Sequence, residues 1–333
     1  MSNPRTVIVS VLNWNTAQLT ADCVASILKL EHGDALRVQV VVLDNGSRAD
    51  DWQQLQASLD ASRVTLVRQE RNLGFAGGHN VTMRMAVEQN AEFVWLVNSD
   101  SILEPSSLSK LVAAFDADPR CGAASPVIRA LHDERLIDFC GARHDWKNLD
   151  SIRSRSVEEA QALEAQGMED MWLAGTLVMF RVEALKQVGL LNEKLFAYFE
   201  DDDIGVRLSR GGWHNRLVAH ASAWHAQPNV KERGPHYFYL LYRNSFLFYL
   251  EHTPAPYRRL IRLRLIDRAL FTANRLYRKG HDKKAEACLL GIVDGLRGRG
   301  GPPDLERQPP LMFALLRKLL LVKHYRFLRQ VEA

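Results

Sequence analysis

The chain has 333 residues, 47% hydrophobic and 25% charged, the composition of an ordinary globular protein with room for one large α/β domain or two smaller ones. No apolar run is long enough to cross a bilayer, and four scattered cysteines without a CxxC pair (Cys23, Cys121, Cys140, Cys288) argue against a disulfide framework or a zinc site. The formal net charge of +4 hides an asymmetry: from Pro256 onward there are 18 Lys and Arg against 7 Asp and Glu, and before it 25 against 32. The N-terminus runs directly into a strand-like segment with no export-leader pattern, which together with the cysteine usage predicts a cytoplasmic location.

Residues 6–12, TVIVSVL, form a β-branched apolar run of the kind buried on both faces of a parallel sheet. Asn13-Trp14-Asn15-Thr16 ends it, and Leu19, Cys23, Ile27 and Leu30 then fall at helical spacing. A second strand runs from Val38 to Asp44 and breaks at Asn45-Gly46-Ser47, followed by a helix through Trp52, Leu55 and Leu59. A third strand, Val64 to Arg68, leads into Arg71–Asn80, a turn-rich and glycine-rich loop, with a helix expected from about Val81 to Gln89. A fourth strand, Phe93 to Val97, ends in Asn98-Ser99-Asp100-Ser101, and Pro105 opens a helix to Phe115. Strands alternating with helices, with polar turns after the strands' carboxyl ends, predict a doubly wound, mostly parallel sheet that binds ligands at those ends. Asn13, Asp44, Asn72 and Asp100 all fall there, each also an acceptable turn or cap residue.

Residues 121–150 read as less regular, and 156–170 as a polar, exposed helix or loop, a candidate lid over an acceptor. Residues 172–180 return to a buried strand, a helix spans about 182–188, and Val218 to Trp224 read as a strand with His225 at its end. Between them lies FAYFEDDDIGVRLSRGGW, residues 196–213. Its four consecutive acids, Glu200 to Asp203, suit the positive end of a helix that Gly211-Gly212 terminates. Carboxylates packed this tightly need a cation, a proton or open water. The segment is either a solvated acidic cap or a site. Asp100, just past a buried strand, suits a divalent ion held through oxygen ligands and substrate phosphates, and Asp201 could take a proton from an attacking alcohol. Asp44 could accept hydrogen bonds from a base or ribose. No GxGxxG is present, and residues 9–16 lack the glycine-rich, basic loop a nucleotidyltransferase needs.

Six blocks in order, VSVLNWN, VVVLDNGS, RNLGFAGGHN, VWLVNSDS, WLAGT and FAYFEDDDIGVRL, resemble the family 2 glycosyltransferases of GT-A fold, and within them the bacterial rhamnosyltransferase-like branch. The resemblance covers about residues 6–250. It implies that Asn13, Asn15 and Asp44 line a nucleotide pocket and that Asn72 with Gly74 to Gly78, Gly77 included, closes over it. Asn98-Ser99-Asp100 stands where the family has its Asp-x-Asp motif, with Asn98 on the nucleotide side and Asp100 as ligand to Mg2+ or Mn2+. Glu200-Asp201 matches the catalytic acid pair, Asp201 as general base. His225, 24 residues beyond Asp201, is a second metal ligand or a hydrogen-bonded structural histidine. Trp172 is core or, with Gly175 and Thr176, borders the acceptor or donor sugar. His79 departs from a common asparagine. Asp202 and Asp203 read as cap or Arg207-pairing acids, and Tyr242-Arg243-Asn244 as an anchor for the aromatic helix at 237–251 in preference to a phosphate contact.

The implied organisation is a catalytic domain over 1–250, with a nucleotide half of about 1–104 and an acceptor half of about 105–250, and a basic helical extension over 251–333. The implied activity is inverting transfer of a sugar, with L-rhamnose from dTDP-rhamnose as the suspected donor, to a glycan or lipid-linked acceptor in cell-surface polysaccharide synthesis. The alternative is a non-catalytic glycan- or membrane-binding protein on the same fold. Residues 257–279 and 311–329 combine leucines with cations, which suits the inner face of the bacterial cytoplasmic membrane or, equally, a subdomain or dimer contact. No nucleic-acid partner is expected, because a basic excess alone is unspecific.

Overall fold

The computed structural model describes residues 4–166, 170–226, 233–321, 323 and 324. The chain divides into two compact units: Met1–Asn192 with Glu200–Gln227, and Glu193–Phe199 with Pro228–Ala333. The expected boundary at 250 therefore falls elsewhere, and the aromatic helix at 235–252 belongs to the second unit.

The first unit begins β1 (Arg5–Asn13), α1 (Ala17–Ile27), β2 (Leu36–Asp44), α2 (Ala49–Ser58), β3 (Val64–Arg68), α3 (Gly74–Glu88) and β4 (Phe93–Asn98). The four strands lie parallel in the order β3-β2-β1-β4. Alternate side chains feed cores on opposite faces: Val7, Val9 and Val11 of β1 join Cys23 and Ile27 of α1, while Ile8 joins Met83 and Ala86 of α3. That two-sided burial is why the strands read as continuous apolar runs. All four cysteines are buried and free.

Helix α3 starts at Gly74, seven residues before the sequence pattern predicts. The glycines serve close packing. A Cβ on Gly77 would lie 2.9 Å from Leu73 Cβ, and one on Gly78 2.5 Å from Leu12 Cδ1, so the helix rests directly on β1. Tertiary contact overrides the low intrinsic helix propensity of glycine.

Beyond β4 come β5 (Ser101–Leu103), α4 (Ser107–Ala117), β6 (Cys121–Ala130), β7 (Asp133–Phe139), β8 (Ala142–Asp145), β9 (Asp150–Arg153), α5 (Val157–Ala165), β10 (Met171–Trp172), β11 (Leu177–Arg181), α6 (Val182–Val188), α7 (Glu200–Arg210) and β12 (His214–His225). The segment 121–150, expected to be irregular, is thus rich in strands. The single strand expected over 172–180 is two, broken at Ala174–Thr176. β11 lies antiparallel to both β4 and β6, and the sheet continues to β12 and β5, with β7 on β6; β10, β8 and β9 form a small separate sheet. The architecture is α/β with a mostly parallel central sheet, as expected. Helix α5 packs on β12 with Ala160 and Leu163 buried; residues 167–169 of the candidate lid lie outside the described residues.

The second unit holds α8 (Pro235–His252), α9 (Ile261–Arg278), α10 (Asp282–Leu296) and α11 (Leu311–Leu319). α10, which the sequence reading did not anticipate, packs along α8 because Gly291 and Gly295 admit it: a Cβ there would meet Tyr239 O at 2.7 Å and Phe246 Cβ at 2.7 Å. Arg243 and Asn244, both fully buried, bind the carbonyls of Lys194, Leu195, Ala197 and Tyr198, so α8 is anchored to that segment within its own unit. Residues 322 and 325–333 of the second basic stretch lie outside the described residues.

Candidate active site

The parallel register sets Asn13 beside Asp44, and Leu12 beside Asn98, so the predicted nucleotide residues gather at one edge of the sheet. Asn13 is fully buried. Its amide donates to Asp44 Oδ1 (2.9 Å) and Asp51 Oδ2 (2.9 Å), and its carbonyl accepts from Thr16 and Thr20. With its hydrogen-bonding capacity filled inside the protein, Asn13 holds Asp44 in place and does not itself line a pocket. Asp44 is also buried and faces Arg68 at 3.5 Å, whose guanidinium covers the Trp52 ring.

Asn15 adopts a left-handed conformation (φ 58°) and ties the end of β1 to the next loop by accepting from Arg48 N at 2.9 Å. Asn72 accepts from Gly74 N (2.7 Å) and from Asn45 Nδ2 (3.1 Å). Asn45, absent from the sequence prediction, also accepts from Leu73 N and donates to Gly74 O, pinning the start of α3 to the end of β2. Its place after a strand, in Asn-Gly, is the signal that could have found it. His79 is fully buried against Ser10 Oγ (2.9 Å), and burial pushes its pKa down to about 3, which keeps it a neutral packing residue.

Asp100 occupies the turn between β4 and β5, and β5 pairs with the end of β12, so His225 comes alongside. Ala226 N donates to Asp100 O at 3.0 Å, fixing the two backbones together. The His225 ring lies between two carboxylates, with Nε2 3.2 Å from Asp100 Oδ1 and Nδ1 2.8 Å from Asp138 Oδ2. Burial opposes its charge, but the hydrogen bonds to Asp100 and Asp138 prevail and raise its pKa to about 9. These three groups stand in a row with the ring in the middle; among the described residues no three His, Cys, Asp or Glu converge as a complete metal site. Asp100 Oδ1 and His225 Nε2 stand side by side. Neighbouring ligands of an octahedral ion stand about 3 Å apart, and a carboxylate with an imidazole suits Mn2+ or Mg2+ when phosphates and water complete the shell.

The acids at the start of α7 are unequal. Asp203 is buried and paired with Arg207 at 2.7 Å, and Arg207 also donates to the carbonyls of Val188, Gly189 and Leu190, a structural lock. Glu200 is buried, and its Oε2 has no hydrogen-bond partner among the described residues; burial and then the adjacent Asp201 raise its pKa well above the usual range. Asp202 is raised for the same two reasons and has His144 at 3.7 Å. Asp201 is half-buried. Its Oδ2 accepts from Gly175 N at 2.9 Å and its Oδ1 from Asp202 N at 3.0 Å. Burial raises its pKa, with those N–H donors opposing. A carboxylate so held is a stronger base than a solvated one and is fixed in direction.

The two acidic centres share an edge. Asn98, two residues before Asp100, donates its N–H to Thr176 O (2.9 Å), and the adjoining Gly175 binds Asp201. A Cβ on Gly175 would press the Phe75 ring at 3.2 Å, so glycine permits this approach. Trp172 is buried against Phe139 and His144 with Arg153 over its face, a core position and not an open sugar platform. A cavity of about 520 Å3 among α4, α5 and β12, lined by Ala113, Gln161, Arg216 and His220, includes none of the predicted site residues.

A nucleotide-type parallel half-sheet with carboxylates at its exit edge and an antiparallel continuation is the fold of a GT-A-like sugar transferase. Residues 4–235 match the family described as "Glycosyltransferase like family 2", and the chain belongs to that family. It is 30% identical to an N-acetylglucosaminyl-diphospho-decaprenol L-rhamnosyltransferase of Mycobacterium tuberculosis over 217 residues, 60% of this chain and 69% of the relative. It is 26% identical to the dTDP-rhamnosyl transferase RfbF of Shigella flexneri over 275 residues, 79% of this chain and 87% of the relative. Among solved structures it resembles the mannosyltransferase PcManGT of Pyrobaculum calidifontis, determined with GDP-Man and Mn2+ (TM-score 0.55, 17% identity, 89% of this chain and 88% of that one).

Proposed function

We propose that this glycosyltransferase is an inverting, divalent-cation-dependent enzyme that transfers L-rhamnose from dTDP-rhamnose to a lipid-linked glycan acceptor. The observation that supports the reading is that Gly175 N–H binds Asp201 while the adjoining Thr176 O accepts from Asn98, two residues before the Asp100 that meets His225. Asp201 takes the proton of the acceptor hydroxyl as its oxygen forms the new bond to the anomeric carbon, and the bond from that carbon to the diphosphate oxygen breaks. Asn13 and Asp44, bonded to each other and both buried, support the floor on which the nucleoside would rest, and the Gly175 N–H keeps the base aimed. Asp100 and His225 would hold Mg2+ or Mn2+, which would offset the negative charge of the departing diphosphate. The two rhamnosyltransferase relatives, one acting on a decaprenol-linked substrate by its name, support the donor and acceptor classes. The test is acceptor-dependent release of nucleoside diphosphate by the purified protein with Mn2+ across a panel of nucleotide sugars. dTDP-rhamnose should be preferred. Failure to bind or turn over any nucleotide sugar would leave the glycan- or membrane-binding alternative.

The second unit supports a membrane-side location. Among the described residues no helix is long and apolar enough to span a bilayer. On α11, Leu311, Met312, Leu315 and Leu319 are 60–80% exposed along one stripe, while Phe313 turns inward. Leu260 and Leu263 of the α9 region are exposed as well, and Arg259, Arg262 and Lys318 are exposed nearby in sequence. Apolar stripes edged by cations insert at an anionic lipid surface. Leu315→Glu/Leu319→Glu is expected to weaken co-sedimentation with phosphatidylserine vesicles by about tenfold or more, with soluble-acceptor transfer unchanged. Unchanged vesicle binding together with loss of a dimer in light scattering would assign the stripe to a homodimer contact instead.

A further inference from the structure

We infer that Asp138 is a positioning residue for the cation site, an assignment that rests on the reading of Asp100 and His225 just given. Two independent observations carry it. The first is contact: Asp138 Oδ2 lies 2.8 Å from His225 Nδ1, on the opposite side of the ring from Asp100. With a cation in place of the Nε2 proton, a carboxylate there would keep the proton on Nδ1, fix the tautomer and hold Nε2 turned toward the Asp100 side of the ring.

The second is backbone. β7 pairs with β6 through Ile128↔Phe139, Arg129↔Ile137 and Ala130↔Asp133, so the ladder breaks twice, and the single residue left unopposed at the break nearer Phe139 is Asp138. β6 carries β7 along one part of its length and pairs with β12 through Ala130↔His225. In a regular ladder the residue between Ile137 and Phe139 would oppose a partner on β6 and face one side of the sheet. A bulge releases it from that alternation and re-aims its side chain, which is where such irregularities recur beside active sites. Here the released side chain reaches the histidine that ends β12. The flanking Phe139 stays in the core against Trp172. The chain thus spends a break in its ladder on aiming one carboxylate at one imidazole.

The test is calorimetric titration of Mn2+ into the full-length protein with saturating dTDP, for the wild type, Asp100→Asn, Asp138→Asn and Asp138→Ala. Asp138→Ala should weaken Mn2+ binding by about ten- to a hundredfold. Asp138→Asn, which keeps an acceptor oxygen without the charge, should fall between. Binding of dTDP without cation should be unchanged in both, which separates loss of aim from loss of fold. In the transfer assay the Mn2+ concentration for half-activation should rise in parallel while the rate at saturating Mn2+ recovers. If Asp100→Asn abolishes Mn2+ binding and both Asp138 variants bind as the wild type does, the positioning role is wrong and the cation site stands. If the wild type with dTDP binds no Mn2+, the cation site fails and the role of Asp138 fails with it.

Discussion

Asp201→Asn should lower sugar transfer by about a hundred- to ten-thousandfold while leaving nucleotide binding intact, the range in which general-base catalysis contributes. Asparagine keeps the shape and can still accept from Gly175 N, so the local backbone should survive. What is lost is the capacity to take a proton. The pH profile provides a second check. Burial raises the pKa of Asp201, so the base form is gained as pH rises through that raised value, and wild-type activity should fall on acidification sooner than it would for a solvated carboxylate. The substitution also removes the neighbour that, after burial, most raises Glu200, so the pKa of Glu200 should drop toward the ordinary range. That shift can be followed by carboxyl-labelled NMR even in the inactive variant. Near wild-type transfer by Asp201→Asn would remove this residue from the role of base.

The largest effect on stability is expected from Arg243→Met, which should cost the second unit about 3–5 kcal/mol, the scale for breaking a buried, charge-assisted network. The guanidinium is wholly buried. It donates to Leu195 O (2.9 Å), Lys194 O (3.3 Å) and Gly301 O, and its Nε donates to Asn244 Oδ1 (2.9 Å). Burial lowers its pKa, the cost of enclosing the charge, and the carbonyls offset that cost only while all are in place. Methionine fills much of the volume and leaves those carbonyls short of donors. Asn244 relies on the same contact while its own amide holds Leu195, Ala197 and Tyr198. Urea unfolding followed by tryptophan-independent circular dichroism should show an early transition for the helical unit. A midpoint equal to that of wild type would mean the network is dispensable.

Most of the parallel half-sheet was legible because strands buried on both faces have no polar residues to blur their ends. β3 runs Val64–Arg68 as read, and α6 runs Val182–Val188. The errors have physical causes. Gly74 to Gly78 read as loop because glycine is a poor helix former, yet the same glycines let α3 approach β1. β7 and β9 were missed because exposed strands with charged faces, such as DERLIDF, lack a continuous apolar run, and β6, although buried, because CGAASPVIRA mixes small residues and a proline into its apolar run. The acids and amides of the candidate site stand out in the sequence; how they divide between buried support and open contact does not. Asn13 and Asp44 look like two separate ligand contacts in sequence, but they are equally buried and bonded to each other across β1 and β2, one support in place of two contacts. Asp203 differs from Asp201 only through Arg207, four residues on. Asp138 carries no local sequence signal, since its importance arises from a skipped register position.

A cation held as proposed, by Asp100 and His225, would have most of its coordination shell left for phosphate oxygens and water. Affinities for the ion and for the diphosphate are then thermodynamically linked, and each must strengthen the other by the same factor. The spent nucleotide keeps the oxygens that create this linkage, so it remains a competitor until ion and nucleotide depart. In such a site the sugar's departure does not by itself free the enzyme, and inhibition by the nucleoside diphosphate should deepen as the divalent salt is raised.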